Sequence, residues 1–359
     1  MEHAFGAGEP FSVGIEEELF LVDAATREVV HDAERVLAGA GLPAGLAGHE
    51  APASQIELRS HPESSAAAAA ASLVEGRSAA RAAGATLLGA GLHPTAQRDE
   101  VQLVDLERYR KVEAEMRGLI LRAPEAALHV HVGMQDADAA IRSFNGLRRW
   151  LPLLRGLAAS SAFWFGRDSG FASARWALVR AYPGRGIPRP LRDANDYERA
   201  LADAIRGGAP DDYTLIWWDL RPHPRLGTIE IREMDAQSRL TDVAALAALV
   251  QGLARHEVEA EADPLPAETI EWSAFRAARD GLGAEILHGD ALTPLPEVAR
   301  AAVEVAAPHA RELRSEGALE GIERILRDGN SADRQRAAHG SGGMDAVLEL
   351  LAEETAAPI

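Results

Sequence analysis

Four short stretches of the chain alternate polar and apolar residues, and the segments between them repeat apolar residues at helical spacing. In SVGIEEELFLVD, Glu16, Glu18 and Phe20 fall on one face of a predicted strand and Ile15, Leu19 and Leu21 on the other. In SQIELRSHP, Gln55, Glu57 and Arg59 oppose Ile56 and Leu58. In LHVHVGM, His129 and His131 oppose Val130 and Val132; in GTIEIREMD, Thr228, Glu230 and Arg232 oppose Ile229 and Ile231. Gly, Pro or polar clusters bound each stretch, as they do strands. Glu17 breaks the pattern: alternation turns it toward the apolar face, where a covering helix or a surface pairing must accommodate it.

The Ala-rich run from Ser64 to Gly89 predicts a helix, capped by Ser64 or Ser65 and ended by Gly89 with Gly91. Further helices are predicted from about Asp105 to Leu121, from Asp136 through Trp150 toward Ser160 with Pro152 as a break or kink, and from Leu240 to Glu261. Helical spacing also runs through the C-terminal third. The expected architecture is α+β: one sheet packed on helices by its Ile/Val/Leu side and open on the other, in one domain over residues 1–359.

Composition narrows the chemistry. No stretch approaches the roughly 18 apolar residues of a membrane helix, and the N-terminus has neither the basic start nor the apolar run of a secretory signal. Zero cysteines fit a cytoplasmic protein and exclude thiolate ligands or nucleophiles. A formal net charge of −18 gives phosphate backbones no general attraction, which argues against nucleic acid as a partner. The single lysine, Lys111, lies in RYRKVEAE, so neither a Walker A loop nor a pocket Schiff base is available. Phosphate must then be held by arginine, backbone or metal.

The open face would gather Glu16, Glu18, Glu57, Glu230, His129 and His131. A merely solvated face mixes signs and carries Thr, Lys and Ser, whereas this one concentrates carboxylates. Two carboxylates about 5 Å apart repel by roughly 3 kcal/mol at an effective dielectric near 20, so the cluster needs cations to stay ionised. Oxygen-rich ligation favours Mg²⁺ or Mn²⁺, and Mg²⁺ sites commonly combine carboxylates with substrate phosphates. Glu230 and Arg232 on one face would let one residue hold metal while the other stabilises a transferring phosphoryl group.

These segments, together with RRWLPLLRGLAASSAFWFGRDSGFASARW, WWDLRPHPRLGTIEIREMD, FRAARDGL, NSADRQR and a late helix ending LAEET, resemble the glutamate-cysteine ligase type 2, or carboxylate-amine ligase, family from Val13 to about Glu354. The resemblance implies a glutamine-synthetase-like catalytic fold, an antiparallel β-sheet funnel flanked by helices. It implies that Glu16, His129 and Glu230 surround one metal near the nucleotide phosphates, and that Glu18 and Glu57 hold another nearer the acceptor carboxylate. Arg232 would contact the transferring phosphoryl group and, with Arg221, the nucleotide; His131 would contact substrate or phosphate. The loop containing Arg167, with Ser173 and Arg175, would bind substrate, an arginine gripping a carboxylate by two hydrogen bonds. Glu17, Ala127 and Phe165 depart from the family pattern and bear on substrate choice.

The implied reaction is ATP-dependent amide formation through an acyl phosphate, with Mg²⁺ or Mn²⁺ as cofactor, glutamate as the expected acid and cysteine as the leading amine. Trp164, Phe165 or Trp176 would either wall a thiol pocket or belong to the core. Expected partners are small molecules, with no nucleic acid and no membrane, and the chain could pair as a homodimer. A non-catalytic relative would have lost a metal glutamate, and none is missing. A guanidino kinase-like phosphotransferase is another alternative on the same fold. A metal-dependent amidohydrolase would need further histidines at strand ends, and His223, His256, His288, His309 and His339 lie in proline-rich or helical contexts.

Overall fold

Alternation turns each of the four stretches into a ribbon with one apolar face, which is stable only when paired edge to edge and covered on that face. The computed structural model, which describes residues 3–260 and 264–359, has this arrangement. Strands β1 (Val13–Val22), β2 (Ala47–His49), β3 (Gln55–Arg59), β4 (Thr86–Leu88) and β5 (Ala127–Gly133) come first. A separate hairpin of β6 (Phe163–Trp164) and β7 (Arg167–Asp168) precedes β8 (Leu220–His223) and β9 (Thr228–Asp235). The main sheet is antiparallel in the order β2-β3-β1-β5-β9-β8, with β4 paired to the end of β1.

Register then decides which side chains meet. Glu16 stands opposite Arg59 on β3 and His129 on β5, while Glu18 stands opposite Glu57. Glu230 stands opposite His131 on one side and Arg221 on the other. The β5–β9 pairing slips between Leu128 and Val130, so that β9 carries one extra residue there, a β-bulge.

The apolar faces of β1, β3, β5 and β9 are buried, each of Ile15, Leu19, Ile56, Val130 and Ile231 being at most 1% exposed. Burying one such side chain contributes ~1.5–3 kcal/mol. Helices Ala66–Ala82, Ala137–Leu147 and Leu240–Glu259 cover this face. The expected cover for Glu17 is the first of them: Arg77 donates from Nε to Oε1 at 2.9 Å and from Nη2 to Oε2 at 2.7 Å. Arg77 Nη1 also donates to the carbonyls of Ser238 (2.8 Å) and Thr355 (3.0 Å), tying helix, sheet and C-terminal helix at one buried point.

Several predicted boundaries shift. Ser65 caps the Ala-rich helix by accepting from the Ala68 amide at 3.3 Å, but the helix stops at Ala82, before Gly84 at φ +86°, and Thr86–Leu88 is strand. Gly89 and Gly91 therefore do not end it. They allow close passage instead: a Cβ on Gly91 would lie 2.4 Å from Asp235 Cγ, and one on Gly89 2.3 Å from the Gln237 carbonyl. The segment predicted from 105 is helical over Glu107–Met116, followed by a 3₁₀ turn. The next is Ala137–Leu147, capped by Asp136, a 3₁₀ turn at Arg148–Trp150, and Leu151–Leu157. Pro152 lies in the first turn of that last helix, where its missing N–H costs nothing, so the break precedes it. Helix Leu240–Glu259 ends before Glu261, which lies outside the described residues. The long C-terminal helix Ser331–Ala356, capped by Asn330, is interrupted at Gly342 and Gly343. Among the described residues no helix is long and apolar enough to cross a membrane.

Candidate active site

The sheet's polar face lines a cavity of about 450 Å³ walled by Glu16, Glu18, Glu57, His129, His131, Glu230 and Arg232. Two groups of three ligand atoms lie within 4.8 Å of one another: Glu16, His129 and Glu230, and Glu18, Glu57 and His129. The His129 ring bridges them, with Nδ1 3.3 Å from Glu16 Oε2 and Nε2 3.9 Å from Glu18 Oε1. The other oxygen of Glu18 accepts from the Ala127 amide at 2.6 Å, which fixes its direction. His131 shares a hydrogen bond with the Thr228 hydroxyl through Nδ1 (3.0 Å). Its Nε2 stands 3.7 Å from both Glu16 and Glu230, too far to hydrogen-bond either.

Electrostatics separates the two groups. Desolvation pushes the Glu16 carboxyl up, but the His131 and His129 imidazoles outweigh it and hold it well below the usual carboxylate range. Burial acts likewise on Glu230, and the guanidiniums of Arg232 and Arg221 reverse it. Arg221 donates to Glu230 Oε2 at 2.5 Å and to Oε1 at 3.3 Å, and also to the Thr214 carbonyl, so it orients that carboxylate. Arg232 pairs with the same carboxylate. Glu57 behaves oppositely: burial, with the neighbouring Glu16 and Glu18 charges, pushes it up to about 8 despite Arg59. An oxygen-rich set with one carboxylate this reluctant to ionise suits a hard divalent cation, which would relieve the repulsion.

Residues 12–349 match the glutamate-cysteine ligase family 2. The chain belongs to that family. A Rubrobacter xylanophilus protein provisionally named glutamate–cysteine ligase 2-3 is 40% identical, over 99% of this chain and 100% of its own. A Roseiflexus sp. protein provisionally named glutamate–cysteine ligase 2 is 35% identical, over 96% of this chain and 95% of its own. In three dimensions the chain resembles the glutamate–cysteine ligase of Francisella tularensis, solved in complex with AMP, with a TM-score of 0.70 at 13% identity over 97% of this chain and 89% of that one. The last likeness is one of fold.

Within this family member, the residues expected at the substrate loop part company. Arg175 lines the cavity, donating to the Glu233 carbonyl at 3.2 Å. Arg167 does not: it is exposed on β7, outside the cavity wall, in a hairpin anchored by Arg336, which donates to both oxygens of Asp168 at 2.9 Å. Ser173 is buried with its hydroxyl donating to Asp235 at 3.0 Å, so it holds the scaffold rather than facing the cavity. Trp164, Phe165 and Trp176 are also absent from the wall; Tyr109, Tyr182 and Trp217 supply its aromatic surface. Of the five histidines an amidohydrolase would draw on, His223 alone reaches the cavity, and burial pushes it down to about 4.

Sequence reasoning missed Glu50, Glu125 and Arg185, all in the wall. Glu50 follows β2; desolvation and the charges of Glu18 and Glu57 raise its carboxyl well above the usual range. Glu125 precedes β5, and Arg185 lies between Gly184 (φ +72°) and Gly186 (φ +124°). Their signal was an acid one or two residues from a proline near a strand end, in HEAP and APEA, and an arginine framed by glycines.

Proposed function

We propose that the chain is an ATP- and Mg²⁺- or Mn²⁺-dependent ligase that joins an amine to a carboxylate through an acyl phosphate. What carries this reading is the pair of three-ligand groups sharing His129, with Arg232 on the same face. Glu16, His129 and Glu230 would hold one ion and Glu18 with Glu57 another. The chemistry such ions supply is neutralisation of phosphate and carboxylate charge. Arg232 stabilises the phosphoryl group in transfer, Arg221 keeps Glu230 directed into the cavity, and Arg175 grips the acid substrate. A neighbouring cavity of about 390 Å³ shares Glu16, Arg59 and His131 and has apolar walls at Ile15, Leu46 and Met134, a setting for a nucleotide base. The Francisella relative was solved with AMP, and the family name supports glutamate as the acid and cysteine as the amine.

The test is phosphate release from ATP with Mg²⁺ across acid and amine pairs, products being identified by mass spectrometry. Glutamate-dependent release yielding γ-glutamylcysteine is expected. Glutamate-dependent release indifferent to cysteine would replace the amine, and no acid-dependent release at all would sink the ligase reading.

A further inference from the structure

The cavity extends beyond the metal-type ligands to an end that neither three-ligand group uses. Glu125 projects there from the residue pair just before β5, its side chain 11% exposed. Its backbone is pinned: the carbonyl accepts from Gln55 Nε2 at 3.0 Å, and Glu125 bridges to Leu92. Ala127, two residues on, gives its amide to Glu18. The Tyr182 hydroxyl donates to Glu125 Oε1 at 3.4 Å, and Arg122 Nη2 is 3.6 Å away. Arg175 and Arg185, with side chains 5% and 6% exposed, line the same end, and Val179, Leu215 and Trp217 supply apolar wall.

Resting on the ligase reading, we infer that Glu125 is the group that receives the amine substrate and takes its proton. An ammonium ion cannot attack an acyl phosphate, because its nitrogen has no free electron pair. Glu125 Oε removes one proton from R–NH₃⁺; the freed pair forms the C–N bond; the C–O bond to phosphate breaks with its pair on the phosphate oxygen, which takes the second nitrogen proton. Amide, hydrogen phosphate and a protonated Glu125 result, and charge balances. The guanidiniums of Arg122, Arg175 and Arg185 disfavour the charged ammonium and favour the free amine, which is the nucleophile required. Arg122 and Arg185 also suit the carboxylate of an amino acid, making the expected amine an α-amino acid. Burial supports the assignment by pushing Glu125 up to about 7 against the pull of Arg175, Arg122 and Arg185, so the group is poised to exchange a proton near neutrality. Glu50, another carboxylate in the wall, hydrogen-bonds Glu57 and lies beside Glu18, so it belongs with them.

Glu125→Gln separates the two half-reactions, with L-glutamate and L-cysteine as probes. ADP formation with glutamate alone should stay within about twofold of wild type, while the cysteine-dependent rate falls about 10²-fold, the usual scale for a lost general base. The wild-type cysteine-dependent rate should rise with pH through about 7 as Glu125 ionises, and this limb should vanish in the variant. Glu125→Asp should recover at least about tenfold over Gln. A Gln variant that keeps its cysteine-dependent rate, or loses both half-reactions together, or an Asp variant no better than Gln, would overturn the inference. Should the Gln variant fail to fold, Asp carries the test: a displaced pH limb supports the assignment and an unmoved one refutes it. Wild-type protein that cleaves no ATP with any acid removes the ligase reading itself, and this inference with it.

Discussion

Three consecutive glutamates on β1 meet two different fates. Glu17 faces the helices, 0% exposed, and Arg77 answers both its oxygens in a planar fork. Glu16 and Glu18 face the cavity, where two imidazoles are shared among them, Arg59 stands 3.8 Å from Glu16 and only the Ala127 amide binds Glu18 closely. A buried charge that serves stability is given one matched counterion; charges kept for a ligand are left with partial partners that a cation or phosphate can complete. The two sides of one strand thus divide holding the fold from doing the chemistry.

The sharpest way to break this division is at the cavity. Glu230→Gln keeps the shape but removes the charge that Arg221 and Arg232 now balance, and should cut ATP turnover per folded molecule to below about one-thousandth, beyond any stability lost by leaving two guanidiniums half-paired. Near-normal Mg²⁺-dependent turnover would show that the metal-type groups are misplaced. On the helix side, Glu17→Gln leaves Arg77 as a half-paired buried cation and should cost about 3–5 kcal/mol in urea unfolding, with activity per folded molecule unchanged. Lost turnover at unchanged stability there would erase the distinction between the faces. Arg232→Ala should lower the maximal rate about 10²-fold and ATP affinity much less, because its contact strengthens as charge moves to the phosphoryl oxygens; Lys should rescue poorly for want of the planar fork. Weaker ATP binding at an unchanged maximal rate would assign it to ground-state binding instead. The smallest effect is expected at Arg167→Ala, within about twofold in rate and KM, since exposed charges outside a site contribute little; a large rise in the KM for glutamate would show that the hairpin reaches the substrate.

Long strands were legible in the sequence and short ones were not. β1, β3, β5 and β9 repeat their alternation often enough to define two faces, and every metal residue expected from them lines the cavity. β2 and β4 are three residues each, too short for a period to register, and β8 carries Pro222, which a sheet tolerates because β8 is at its edge. The helix over Glu17 could be anticipated, but not that Arg77, sixty positions away, completes the pair. Glu50, Glu125 and Arg185 were missed for a related reason: they stand in loops, where no periodicity says which way a side chain points.

The bulge in β9 acts as a phase shifter. Above it, even-numbered residues such as Glu230 face the cavity; below it, Met234 pairs with Leu128 in the apolar layer and Asp235 with Ala127 on the polar side. Removing one residue from this point would invert everything downstream, thrusting Asp235 into the helices and pulling its bonds from Ser160, Ser161 and Ser173 apart. A graft of this sheet onto another scaffold must therefore count residues as well as copy side chains, because the extra one is what allows a cavity-facing arginine and a serine-anchored aspartate to share a strand.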